Sequence, residues 1–142
     1  MRKIAIICKH IEGLPIMRDS DINIKNNEEY LQIEEFKHKF FKKNILNTFN
    51  IKFENIIDLT IIKGNEGKVL EGSETIISQI RNVNNRNSEG FLIIKYLNKN
   101  EEIKNLIFKL ENKITLSVAK QSVDIIKKEL QMYKANENNI EL

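Results

Sequence analysis

The chain has 142 residues, of which 41% are hydrophobic and 30% charged, with a net charge of +3. That length predicts one domain with a core that needs neither disulfide nor metal, and the lone cysteine, Cys8, excludes an internal disulfide and fits a reducing, cytoplasmic setting. A small charge spread along the chain gives no strong nucleic-acid signal and no membrane partner, and no apolar run reaches membrane-spanning length.

The predicted elements follow a rhythm. Lys3-Ile4-Ala5-Ile6-Ile7-Cys8 opens a strand over about Arg2 to Lys9. A stretch from His10 to Asn27 follows as a long loop, with the only proline, Pro15. Ile22 and Ile24 alternate there with polar residues, as in a short edge strand or hairpin arm. A helix is predicted after Asn26 or Asn27. Glu28, Glu29, Glu34 and Glu35 fill its early turns and Lys37, Lys39, Lys42 and Lys43 its later ones, in the order that suits the helix dipole. Tyr30, Ile33, Phe36 and Phe40 give it an apolar stripe; Phe41 and Phe49, if exposed, would mark a partner interface.

A second strand lies within Phe53 to Lys63, ending at a loop with Gly64, Gly67 and Gly72, and Ser73 caps a helix carrying Ile76, Ile77, Ile80 and Val83. A third strand spans Phe91 to Leu97, and a helix follows with Ile103, Leu106, Ile107 and Leu110 inward. The chain closes with a strand, Ile114 to Ala119, and a helix capped by Ser122. Near-continuous apolar strands alternating with helices predict a single-domain, three-layer α/β/α fold over residues 1–134. Its sheet is four- or five-stranded and mostly parallel, flavodoxin-like or Rossmann-like in outline. Residues 135–142 form a polar tail.

In such sheets ligands bind beyond the carboxyl ends of the strands. That rule nominates His10, Arg18, Ser73, Lys120 and Ser122 for a small anionic ligand, a nucleotide or phosphorylated metabolite, held by helix N-termini and basic side chains. Gly64-Asn65-Glu66-Gly67-Lys68-Val69 is not a P-loop: two residues, not four, precede the Gly-Lys pair, and Val69 stands where Ser or Thr is required. The G-x-G-x-x-G fingerprint is missing, so no cofactor is assigned. Asp19-Ser20-Asp21-Ile22-Asn23 opens like a calcium loop, but Ile24 and Tyr30 occupy the required glycine and glutamate places. Two histidines and one cysteine are too few for a structural zinc site. Two other readings stay open. One is a non-catalytic regulatory or accessory protein acting through a protein partner or as a homo-oligomer. The other is an enzyme in which Cys8 attacks, His10 accepts a proton and Arg18 holds the substrate.

Overall fold

The computed structural model describes residues 2–63 and 89–137. Among the described residues there are seven strands: β1 (Ala5–Glu12), β2 (Asp21–Asn26), β3 (Tyr30–Lys39), β4 (Lys42–Lys52), β5 (Ile56–Lys63), β6 (Gly90–Leu97) and β7 (Ile103–Leu110). A 3-10 turn, Phe53–Asn55, separates β4 from β5, and one helix, α1 (Lys113–Glu137), ends the described chain. The strands make one sheet in the order β4-β3-β2-β1-β7-β6-β5, with every neighbouring pair antiparallel.

Short polar signals set the turns. The Asn27 side-chain oxygen accepts the backbone N–H groups of Glu29 and Tyr30 at 2.9 and 2.7 Å and folds β2 back on β3. Asn98 does the same between β6 and β7, accepting from Asn100 and Glu102, both at 2.9 Å. Asn112 caps α1 through Thr115 N–H at 2.9 Å.

Alternation then sorts the side chains. Ile6 and Cys8 of β1, with Ile4 just before it, Ile22 and Ile24 of β2, Leu31 and Ile33 of β3, and Leu106, Phe108 and Leu110 of β7 face the main core. The helix covers that core with Leu116, Ala119, Val123, Ile126 and Leu130, recurring at intervals of three and four residues. It packs on β1, β5, β7 and the 3-10 turn. Ile11, Ile62, Phe91, Ile93 and Ile107 form a second buried cluster, on the opposite face by the same alternation.

These observations overturn the flavodoxin-like or Rossmann-like expectation. The isoleucine runs are strands, but none is parallel to a neighbour. Residues expected as the first helix are the β3–β4 hairpin. Leu31 and Ile33 point inward in period two, Phe36 is buried beyond a register shift after Glu35, and Phe40 lies exposed in the turn, so the spacing of these residues marks no helical face. The predicted helix around Ile103 to Leu110 is β7, whose Leu106 and Ile107 fill clusters on opposite faces. The predicted strand Ile114 to Ala119 is the first part of α1. The segment around Ile22 and Ile24 is a strand inside the sheet rather than at its edge, and both side chains are fully buried. The helix predicted after Ser73 lies outside the described residues.

Candidate functional site

With no parallel strands among the described residues, the rim on which the nominated residues were to converge is absent there. His10 sits on β1, 2% exposed, with both ring nitrogens engaged: Nδ1 donates to the Met17 carbonyl at 3.1 Å and Nε2 accepts the Leu14 N–H at 3.1 Å. With backbone bonds from His10 to Ser20 and from Asp19 to His10, it fixes the β1–β2 loop, which carries the exposed Arg18. Lys120 is exposed and Ser122 buried on α1, which Asn112 caps, so Ser122 lies well inside the helix and its N–H is not a free helix-start donor. Ser73 lies outside the described residues. The fold therefore brings His10 and Arg18 to one loop and Lys120 and Ser122 to the helix. Cys8 is 3% exposed within the core, where burial pushes its thiol well above the usual range and disfavours the thiolate. Among the described residues no three His, Cys, Asp or Glu side chains cluster as metal ligands do.

A different feature stands out at the same end of the sheet as the β1–β2 loop. β2 pairs with β3 only as far as Phe36, whereas β3 and β4 stay paired to Lys39 and Lys42. The hairpin end therefore stands clear of its neighbour by about three residues, roughly 10 Å of strand. Its two turn residues are Phe40 and Phe41, 86% and 107% exposed. Both have left-handed backbone, φ 52° and 63°. Two-residue hairpin turns of this kind normally use Asn-Gly, and a bulky side chain there is strained.

The rim of the tip is basic on both faces. By pairing and alternation Lys37, Lys39 and Lys42 share one face, and His38 and Lys43 the other. Lys39 Nζ lies 5.8 Å from the Phe40 ring centre and Lys43 Nζ 4.9 Å from that of Phe36. From Phe36 to Phe53 the chain has five lysines and no acid, which more than accounts for its net charge of +3. Behind the tip, the buried Glu34 is countered by Lys25 Nζ at 2.9 Å and by Lys43 Nζ at 3.7 Å. Lys43 is thus partly engaged, while Lys37, Lys39 and Lys42 project into solvent.

An open cleft of about 550 Å³ at the other end of the sheet is lined by residues including Tyr30, Lys52, Glu54, Tyr96 and Lys99. Glu54 stands 4.0 Å from Lys52 and offsets its charge, so the hairpin is the stronger cationic feature. Sequence reasoning missed the hairpin because it assigned these lysines to the end of a helix. The run Lys37-His38-Lys39-Phe40-Phe41-Lys42-Lys43, with no acid inside it or after it until Glu54, was the signal available.

Searched against protein-family models and curated proteins, the sequence matches none. Solved structures do match in fold. The hSac2 domain from the human phosphoinositide phosphatase Sac2 aligns with 98% of this chain and 72% of its own, at a TM-score of 0.57 and 12% identity. At that identity the likeness is one of fold. No helix among the described residues is long and apolar enough to cross a membrane.

Proposed function

We propose that this chain is a non-catalytic binding module that takes an anionic, phosphate-bearing ligand on the lysine-ringed end of the β3–β4 hairpin. The observation that carries the reading is the hairpin end from Phe36 onward, which has no acid up to Phe53 and holds Lys37, Lys39 and Lys42 exposed beyond the neighbouring strand. Lysines that lack carboxylate partners keep their full field for an incoming anion. The structural neighbour lends support, since it comes from a phosphatase named for anionic phospholipids. The role of Cys8 as a nucleophile is disfavoured by its burial in the core. Net charge alone did not point to this surface because acids elsewhere in the chain mask a local excess.

The test is a titration with long-chain inorganic polyphosphate. Wild-type protein should bind in a salt-sensitive manner, with amide shifts centred on Lys37 to Lys43. Changing Lys37, Lys39, Lys42 and Lys43 together to Gln should weaken binding by at least about tenfold, roughly 1.4 kcal/mol. Shifts centred on the Lys52 and Lys99 cleft, or equal binding by the fourfold variant, would count against the reading.

A further inference from the structure

We infer that the surface recognised by this hairpin is an anionic lipid bilayer, with the rings of Phe40 and Phe41 entering the interface and the lysines resting on the headgroups. The inference rests on the anion-binding reading above and extends it with three observations that a dissolved phosphate would leave unexplained.

The first is the exposure of two adjacent phenylalanines at 86% and 107%, at the extreme tip of a projecting ribbon. An anion is held by lysines and has no use for apolar rings, whereas the acyl boundary of a bilayer rewards their burial. The second is backbone strain. Both rings are carried on positive φ, 52° and 63°, where Asn and Gly would sit without cost. Strain kept in a turn whose rings stand almost wholly exposed points to a role for the side chains themselves.

The third is shape. The lysines lie on both faces of the ribbon, with Lys37, Lys39 and Lys42 on one and Lys43 on the other. A protein groove presses on one side of a ribbon, but a planar anionic surface meets a tip from all sides. The free end of the hairpin is roughly 10 Å long, comparable with the roughly 5–10 Å that interfacial segments penetrate. Juxtamembrane lysines are attracted to anionic lipid at the same depth. Ile45 and Leu46, 49% and 46% exposed, extend apolar surface just behind the rim.

The experiment uses the full chain and sedimentation with two kinds of vesicle, phosphatidylcholine alone and phosphatidylcholine with about 30% phosphatidylserine. Wild-type protein should partition onto the anionic vesicles and not the neutral ones. The Phe40→Ser, Phe41→Ser double variant should lose at least about tenfold in partitioning while binding polyphosphate as wild type does. The chain has no tryptophan, so Phe41→Trp supplies a single reporter. Its emission should shift to the blue on anionic vesicles and be quenched by brominated acyl chains. Undiminished vesicle binding by the double-Ser variant, or an unshifted and unquenched reporter, overturns insertion and leaves anion binding standing. A wild type that ignores both polyphosphate and anionic vesicles overturns the anion reading itself. A reporter that shifts only with an added protein, and not with vesicles, assigns the tip to a protein partner and also overturns the inference. Circular dichroism on each variant confirms that the fold is intact.

Discussion

Replacing Phe40 with Asn and Phe41 with Gly should make the protein more stable. A left-handed conformation costs an L-residue about 1–2 kcal/mol, and here two successive phenylalanines adopt it, with φ 52° and 63°. Asn tolerates that region and Gly meets no penalty there. Little packing is lost in exchange, because the side chains are 86% and 107% exposed. The contact of Lys39 with the Phe40 ring at 5.8 Å is the main loss, at about 0.5–1 kcal/mol for an exposed pair. Glycine also frees the unfolded chain, at about 0.5–1 kcal/mol. The balance favours the variant by about 1 kcal/mol, or about 3 °C in midpoint for a domain of this size. Urea unfolding at equilibrium, followed by circular dichroism, measures the difference. A variant less stable than wild type would show that the rings support the folded state, and the strain argument would then be refuted. If it holds, the same variant should bind anionic vesicles poorly, so that stability and function pull this turn in opposite directions.

Other consequences are open to direct measurement. Cys8, its thiol pushed up by burial, should react with iodoacetamide at about pH 8 only as fast as the protein opens; rapid stoichiometric labelling of native protein would contradict its placement in the core. Lys9 is held above the usual lysine range chiefly by its hydrogen bond to Asp21. A raised folded value means that the pair stabilises fully below lysine's ordinary titration and is lost as pH climbs through the elevated one. Both side chains are about a third exposed, at 32% and 38%, so Asp21→Asn should cost less than about 1 kcal/mol. In urea unfolding that difference should stay level from neutral pH to about pH 9 and shrink only above about 10.5. Gly13→Ala should lose about 2–4 kcal/mol, because φ is +113° and the new methyl would lie 2.5 Å from the Asn105 carbonyl oxygen and 2.6 Å from Leu106 Cδ2; an unchanged urea midpoint would refute that contact.

Much of the strand content was legible, and the pairing was not. Ile6, Ile7 and Cys8 on β1, and Leu92 and Ile94 on β6, announce strands through β-branched, apolar composition. Their direction depends on what joins them, and there the reading failed. Phe91 to Ile94 are buried on both faces, which in most proteins signals a parallel sheet; here a second cluster of five residues on the opposite face produces the same run. In β3, Glu34 and Glu35 are buried, countered by Lys25, Lys43 and Asn47. A sequence reader places such carboxylates in solvent, which hides the alternation of Leu31 and Ile33. Of the nominated residues, His10 was noticed for its type, but its engagement with Leu14 and Met17 depends on a loop path that spacing does not encode. The hairpin tip was visible as a run of lysines around two phenylalanines, yet exposure is a tertiary property and the helical reading faced one of them inward.

The strand order has a consequence for how the chain reaches its native state. β1 lies beside β7, so residues as far apart as Lys9 and Lys109 are direct partners. The β1–β4 meander can assemble from adjacent hairpins as soon as it has been synthesised, but one flank of β1 must wait, unsatisfied, for residues 103–110. Closing that seam spans the longest loop in the sheet, and it is the step where nascent protein is most exposed to pairing with a neighbour's strand instead of its own.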